Sequence, residues 1–257
     1  MIFVFVKTQQ SILLKMKYSN YHRNHVILKG SEDALYNFLD ATLVRNGKTE
    51  KHKWRHSISS NSEDALTWSC FDVLRNQPKE RVTTALDEIF EDAFGDFKDT
   101  PVPDKFSFAD EQNVEIHIGK NYYATSVNED TEVDASIETD GKLIFFEAKL
   151  YSKISLPDEN TPYDQIIRKL RVGLDVANQQ KKEFYFLFLD IAPISYLLKF
   201  GEKSISAKYF CKYKTRNKQL ESNLTDIPYP DIEKVKTNMG WFSWACLFKT
   251  VLRTVIK

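Results

Sequence analysis

One stretch in the middle of the chain limits the fold more than any other part of the sequence. Glu132–Ile137 and Leu143–Leu150 have strand-like composition and flank an Asp-Gly pair, a strong signal for a two-residue hairpin turn. A helix is expected over residues 161–180, with Thr at its cap, Pro at its first position and Asp at its third. Phe184–Leu189 then gives six consecutive apolar residues, the pattern of a strand buried on both faces. A strand, a helix and a buried strand in this order predict a right-handed parallel crossover.

The predicted fold class is therefore α/β, with a mixed sheet in which an antiparallel hairpin is extended by a parallel strand and covered by helices. Further helices are expected before the hairpin, at Ser31 to Gly47, Ser62 to Arg75, and Val82–Phe94. A short strand is expected at His25–Lys29, and a basic linker at Lys48–Arg55. We expect three parts: an N-terminal helical and basic extension (1–60), a core (61–195), and C-terminal basic strands with a helix packed on the core (196–257).

Composition excludes several classes of protein. Of the 257 residues, 42% are apolar, with 18 Phe, 12 Tyr and 4 Trp, so the chain can bury a core and is not intrinsically disordered. With 8 Gly and 8 Pro, collagenous and low-complexity sequences are excluded. No apolar run reaches the roughly 18 residues that a membrane-spanning helix needs, so a soluble protein without a membrane partner is expected. The N-terminal apolar run lacks the other features of a signal peptide, so residues 1–15 are expected to form a short strand or to precede a start at Met16.

Cysteine and histidine usage argues against disulfides and zinc. Cys70, Cys211 and Cys246 are odd in number and far apart, without a CxxC pair, so neither a disulfide framework nor a structural zinc site is expected. His52 and His56 lie four residues apart, but no third zinc ligand accompanies them. The cytoplasm is the default compartment for such a chain.

The zero net charge conceals a strong segregation of charge along the chain. Residues 1–62 carry 10 basic and 4 acidic side chains, residues 63–150 carry 8 and 21, and residues 151–257 carry 18 and 11. The three segments therefore carry net charges of +6, −13 and +7. One interpretation is that the central carboxylates collect cations while the basic flanks face a polyanion. The alternative is that the acidic residues lie on solvated helix faces and loops.

The hairpin pattern also predicts which side chains face each other. If the Asp-Gly pair forms the turn, Asp134 lies directly opposite Glu147, with Cβ atoms about 4.5–5.5 Å apart. Lys149 is two residues beyond Glu147 and projects from the same face. Apolar side chains are expected on the other face: Val133, Ala135, Ile137, Ile144, Phe146 and Ala148.

Two opposed carboxylates repel each other and need a physical explanation. A divalent cation would neutralise them, and carboxylate oxygens are the ligands that Mg²⁺ and Mn²⁺ prefer. The alternative is an exposed hairpin whose charged face meets water, with Glu132 paired to Lys149 across the strands.

Asp134, twelve intervening residues and then Glu147-Ala148-Lys149 resemble the motif of the PD-(D/E)xK nuclease superfamily. Its core has a helix, a three-stranded antiparallel meander, a crossover helix and a parallel strand, an order that residues 60–191 match. The resemblance implies a restriction-endonuclease-like fold and a site for Mg²⁺, with Mn²⁺ able to substitute. Asp134, Glu147 and the carbonyl of Ala148 would be ligands, and Lys149 would orient the attacking water. Val133 replaces the Pro of the motif.

The resemblance also suggests further site residues. Many relatives place a Glu on the first core helix, and Glu63 matches it because its helical stripe faces the sheet; Asp64 is the alternative. Both acids also suit the N-terminus of any helix. Gln165 and Arg168 resemble residues that contact the substrate phosphate, although Lys169 stands where one exonuclease branch has Tyr. For both residues a solvated polar face is the alternative.

Two basic segments contain aromatic residues and could contact a nucleic-acid backbone. The first includes Lys53 and Arg55, which are predicted phosphate contacts; the second covers residues 208–218, whose lysines could instead protect an edge strand from aggregation. The sequence therefore predicts a Mg²⁺-dependent nuclease, with DNA as the leading substrate. It is also compatible with a homodimer. The alternatives are a catalytically inactive nuclease-fold module that binds nucleic acid or a protein, and a hydrolase that uses Asp134 and Glu147 as an acid–base pair.

Overall fold

The computed structural model describes residues 24–41, 43–45, 48–59, 61–95, 97, 102–103, 106–159, 161–200, 204–228 and 231–256. The prediction for residues 1–15 lies outside them. The strands are β1 (Leu43–Arg45), β2 (Lys48–Glu50), β3 (Val114–Ala124), β4 (Glu129–Thr139), β5 (Lys142–Ala148), β6 (Glu183–Asp190) and β7 (Met239–Ser243). The helices are α1 (Glu32–Asp40), α2 (His52–Ser57), α3 (Glu63–Arg75), α4 (Lys79–Gly95), α5 (Gln165–Gln180), α6 (Ile194–Phe200), α7 (Ile205–Thr215), α8 (Asn217–Leu224), α9 (Ile232–Thr237) and α10 (Trp244–Ile256).

Five of the described strands form a mixed sheet in the order β3-β4-β5-β6-β7. Strands β3, β4 and β5 are antiparallel, whereas β6 pairs in parallel with β5 and β7 in parallel with β6. Ala135 pairs with Phe146 and Ser136 with Phe145, so the predicted hairpin register is confirmed. Because α5 connects β5 to a parallel neighbour, the predicted parallel connection is confirmed, and its right-handedness stays a prediction. The chain is an α/β protein with helices on both faces of a mixed sheet.

Alternating side chains of the central strands fill two separate hydrophobic layers. Phe145 and Phe186 pack on the face covered by α5, whereas Phe146 and Leu187 pack on the face covered by α3 and α4. All four side chains are almost completely buried, and each such burial stabilises the fold by about 1.5–3 kcal/mol. The prediction that β6 is buried on both faces is confirmed.

Capping residues fix where the two helices beside the hairpin begin. The Ser62 hydroxyl accepts a hydrogen bond from the Ala65 amide at 3.2 Å, as predicted for α3. Helix α5 begins three residues later than predicted, because Asp164 and not Thr161 is its cap. The Asp164 carboxylate accepts hydrogen bonds from the amides of Ile166 and Ile167 at 2.9 and 3.2 Å.

Strand β3 changes the face that it buries at Gly119. Ile116 and Ile118 pack on the α3 side, whereas Tyr122 packs on the α5 side, although all three have the same parity along the strand. Gly119 has a φ of 65°, a left-handed conformation that interrupts the strand twist. The neighbouring strand β4 also changes the face that it buries, because Val133 packs on the α5 side and Ala135 on the α3 side. The prediction that Val133 shares a face with Ala135 is therefore wrong.

Other local predictions are corrected by the structure. Residues 24–30 contain no strand, the helix predicted from Ser31 to Gly47 ends at Asp40, and the basic linker at 48–55 is β2 followed by α2. The basic segment at 208–218 is helical in α7 and α8, not an edge strand. The buried apolar residues of these two helices recur at helical spacing: Ala207, Phe210, Tyr213 and Leu220.

The C-terminal part of the chain completes the sheet and one helical layer. Strand β7 is the parallel edge strand beside β6, and α10 packs against α4. Lys249 of α10 pairs with Asp92 at 2.6 Å, and the Thr250 hydroxyl lies 3.2 Å from a Glu88 carboxylate oxygen. None of the helices in the described ranges has the length and apolar character needed to cross a membrane.

Candidate active site

Several elements meet where β5 ends. Glu147 lies near the end of β5, Asp134 lies on the adjacent β4, and Lys149 is the first residue after β5. Glu63 is the first residue of α3 and Gln165 the first residue of α5, so helices from both faces of the sheet begin at this edge. The topology thus brings together residues that are up to 102 positions apart in the chain.

Glu147 is held by three nitrogen-bearing side chains. Its carboxylate is fully buried, with one oxygen 2.7 Å from the Lys149 ammonium and the other 3.4 Å from the Lys169 ammonium. The Gln165 amide also donates a hydrogen bond to Oε1. Burial alone would raise the pKa of Glu147, but the two ammonium groups lower it below its ordinary value. Glu147 is therefore ionised at neutral pH.

Asp134 has the opposite electrostatic setting. Its Oδ2 accepts a hydrogen bond from the Ala148 amide at 2.8 Å, which ties β4 to the end of β5. Burial, and next the negative charge of Glu147, raise the pKa of Asp134 to about 8, although Lys149 and Lys169 act in the other direction. Without a further cation, Asp134 is therefore largely protonated at neutral pH.

Lys149 is fixed at both its backbone and its side chain. Its amide donates to the Leu189 carbonyl at 2.7 Å, and its carbonyl accepts from the Trp244 indole at 3.0 Å. Only 5% of the residue is exposed, which disfavours its charge, but Glu147, Asp134 and Glu63 together raise its pKa. The ammonium is therefore a permanent positive charge among three carboxyl groups.

Glu63 closes the site from the α3 side. One of its oxygens lies 3.4 Å from the Lys149 ammonium. The other accepts hydrogen bonds from the Leu150 amide at 2.8 Å and the Ser152 hydroxyl at 2.7 Å. The structure therefore brings Glu63 to the predicted cluster, and it also shows that this carboxylate organises the loop after β5.

Gln165 and Arg168 contact the loop between β5 and α5. The Gln165 side-chain oxygen accepts from the Ser155 amide at 3.1 Å, and an Arg168 Nη donates to the Ser155 hydroxyl at 2.8 Å. Because Gln165 also bonds Glu147, it links the loop to the carboxylate. Arg168 is half-buried and lies beside the cluster without contacting its carboxylates.

The alternative pairing of Glu132 with Lys149 is wrong. Glu132 instead pairs with Lys53 at 2.5 Å, and its carbonyl accepts a hydrogen bond from Lys169. The Lys53 side chain is only 2% exposed and lies over the Phe38 ring, so it is not part of an exposed basic linker. Arg55, two residues later on α2, is exposed.

Two residues near the site, Lys169 and Asp190, are not among the site residues predicted from the sequence. Lys169 is one helical turn after Gln165, and this spacing is the signal that could have placed it beside Glu147. Asp190 ends β6, the neighbour of β5, and burial raises its pKa to about 6 even though the Ile191 amide donates to it. Its position at the end of a buried parallel strand was the available signal.

A cleft of about 330 Å³ opens beside Glu63 and Lys149. The segment before α3 and the loop after β5 form its walls, and its lining residues are His56, Ser59, Asn61, Ser62, Glu63, Asp64, Lys149, Tyr151, Ser152 and Lys153. The cleft gives a solvent path to the edge of the otherwise buried cluster.

The residues present fit a divalent cation held by few protein ligands. Oε2 of Glu147 is buried with its ion-pair partner, the Lys169 ammonium, 3.4 Å away, and burial together with the Glu147 charge raises the pKa of the Asp134 carboxyl. Among the residues that the structure describes, no group of three or more His, Cys, Asp or Glu side chains is placed to hold a metal ion. A site with two carboxylates, a backbone carbonyl and water is typical of Mg²⁺, which is bound through one or two carboxylates.

Comparison of the chain with protein-family models, with curated proteins and with solved structures finds no match.

Proposed function

We propose that this chain is a Mg²⁺-dependent nuclease with a restriction-endonuclease-like fold, and that it hydrolyses phosphodiester bonds in DNA. The observation that carries the proposal is the convergence of Asp134 on β4, Glu147 on β5 and Lys149 directly after β5, at an edge where a cleft reaches Lys149 and Glu63. The similarity of this triplet to the PD-(D/E)xK motif and the order of helix, meander, helix and parallel strand support the same function.

The proposed roles follow from the contacts. Asp134, Glu147 and the Ala148 carbonyl would hold the ion, which would polarise the scissile phosphate and lower the pKa of a bound water. Lys149 provides a fixed positive charge where negative charge develops on the phosphate. Gln165 orients Glu147, and Glu63 keeps the Lys149 ammonium in place.

A second candidate is a module that binds nucleic acid without cutting it. The observation in its favour is that the Lys149 ammonium lies between Glu147 and Glu63, so ion pairs neutralise these carboxylates without a metal. Such a cluster would stabilise the fold and leave binding to the surface around the cleft.

A cleavage assay distinguishes the two candidates. Labelled single-stranded DNA, duplex DNA and RNA are incubated with the protein in Mg²⁺, in Mn²⁺ and in EDTA. We expect metal-dependent cleavage of DNA that Asp134→Asn and Glu147→Gln abolish, while Asp130→Asn, which changes an exposed carboxyl on the same strand, retains it. Binding without cleavage under every condition would favour the second candidate. Cleavage that survives both site substitutions would reject the assignment of the site.

A further inference from the structure

The loop after β5 is held rigidly on both sides of one tyrosine. Leu150 donates its amide, and Ser152 its hydroxyl, to the same Glu63 oxygen, so Tyr151 lies between two anchored residues. Ile154, three residues further on, is buried in the core on the α5 side. The backbone at Tyr151 is therefore fixed relative to the candidate active site.

The Tyr151 side chain itself is 67% exposed. Within the part of the chain that the structure describes, its ring has no aromatic partner and its hydroxyl has no hydrogen bond. Tyr151 lines the cleft beside the charged cluster, with most of its side chain exposed on a fixed backbone. The ring is available to a ligand.

Charged groups of both signs surround the ring, because Glu63, which pairs with Lys149, and Asp64 line the cleft together with two further groups that can contact an anion. Lys153 and His56 line the same cleft, and both are exposed. Nucleic acid combines phosphates, which would contact these groups, with bases, which stack on aromatic rings.

We propose that the cleft binds single-stranded nucleic acid, with Tyr151 stacked on an unpaired base and Lys153 and His56 on the flanking phosphates. This inference rests on the proposed function for the position of the scissile phosphate at Lys149. In a duplex both faces of every internal base are covered by neighbouring bases, so a ring presented from a cleft wall can stack only on an unpaired base. The substrate class is therefore a single strand or a frayed end.

Binding in EDTA tests the inference independently of cleavage. Fluorescence anisotropy is measured with a labelled 15-nucleotide single strand and with the matching duplex. We expect Tyr151→Ala to weaken single-strand binding about 5- to 100-fold, because one base–aromatic stack is lost, and Tyr151→Phe to retain it. Tyr123→Ala is the matched control, because Tyr123 is 52% exposed but does not line the cleft. Lys153→Met should reduce the slope of log Kd against log salt by about 0.7.

The outcomes separate this inference from the proposed function. Single-strand binding that is absent, or unchanged in Tyr151→Ala, overturns the inference; so does an equal loss for single strand and duplex. A loss confined to the single strand supports it, whether or not the protein cleaves. Absence of metal-dependent cleavage in the parent would overturn the nuclease proposal, while a loss of single-strand binding in Tyr151→Ala would still support the inference.

Discussion

Two carboxyl groups in the candidate active site have pKa values shifted in opposite directions, although they lie on neighbouring strands. Glu147 faces the ammonium groups of Lys149 and Lys169, which lower its pKa despite burial. Asp134 is affected most by burial and by the Glu147 charge, and its pKa rises to about 8. Environments that separate the pKa values of two nearby acids are characteristic of functional sites.

The raised pKa of Asp134 predicts a specific dependence of stability on pH. The folded state holds this proton more tightly than the unfolded chain, in which Asp has a pKa of about 4. The resulting stability is complete below about pH 4 and is lost as the pH rises through about 8. Asp134→Asn cannot lose a proton, so its melting temperature in EDTA should rise relative to the parent between pH 5 and pH 8.5.

The control for this experiment is Asp130→Asn, an exposed aspartate on the same strand. Its melting temperature should follow that of the parent across the same pH range. A constant difference between the parent and Asp134→Asn at every pH would mean that the Asp134 carboxyl titrates normally.

Lys149→Met separates catalysis from packing. The substitution keeps most of the apolar stem but removes a cation bound to Glu147 and Glu63. Breaking a buried ion pair costs about 3–5 kcal/mol of stability, and losing one electrostatic contribution to catalysis costs about 10²–10³ in rate. Single-turnover cleavage in Mn²⁺ and a melting curve measure the two effects on the same sample.

Lys142→Met is the matched variant, because Lys142 is at the other end of β5 and pairs with Glu111. It should lose stability and keep the parental cleavage rate. If Lys149→Met cleaves as fast as Lys142→Met, Lys149 has no catalytic role.

At the scale of elements, the local signals in the sequence predicted the structure where they were unambiguous. The Asp-Gly turn fixed the hairpin register, and the apolar run fixed β6 as a strand. The predicted start of α5 is wrong, because Thr161 and Asp164 are both good capping residues and Asp164 is the cap. The structure distinguishes them through a tertiary contact, a hydrogen bond from the Tyr213 hydroxyl to Asp164. The change of face at Gly119 had no local signal beyond the glycine itself.

Gly119→Ala tests the close packing of Lys53 from α2 and Phe38 from α1 against β3. An added Cβ would lie 2.7 Å from the Lys53 ammonium and 2.9 Å from the Phe38 ring, and the φ of 65° is unfavourable for Ala. We expect a loss of more than about 1 kcal/mol in the free energy of unfolding, measured by urea denaturation.

Gly141→Ala is the control, since an added Cβ there meets nothing within 4 Å and φ is in the ordinary range. It should change stability by less than about 1 kcal/mol, in the stabilising direction. Equal effects at positions 119 and 141 would show that the contact with Lys53 is dispensable.

At the scale of the whole molecule, the basic flanks of the sequence do not place all their lysines on the surface. Part of the positive charge of the flanks is internal, because Lys53 and Lys169 are buried, and burial lowers the pKa of Lys214 to about 7. Lys53 and Lys169 compensate acids of the central segment, whereas Lys214 donates to two backbone carbonyls. Sequence alone could place Asp134, Glu147, Lys149 and Glu63 from register and helix phase. It could not place Lys53 and Lys214, because their partners are distant in the chain.

Metal binding to the folded protein can be measured as an increase in the stability of the whole chain. An ion that binds only the folded state adds about 2.7 kcal/mol at a concentration of 100 times Kd, which for a chain of this size raises the melting temperature by about 5–10 °C. We expect such an increase with Mn²⁺ or Mg²⁺ at pH 8, where loss of the Asp134 proton is less costly. Asp134→Asn and Glu147→Gln should lose most of the increase, because each removes one of the two carboxylates, whereas Asp130→Asn should keep it.

An equal increase in all four proteins would place the metal elsewhere, and no increase in the parent would favour the ion-paired cluster as a purely structural feature. Removing the metal with EDTA should return the parent to its starting melting temperature, because binding to a site of two carboxylates and a carbonyl is reversible.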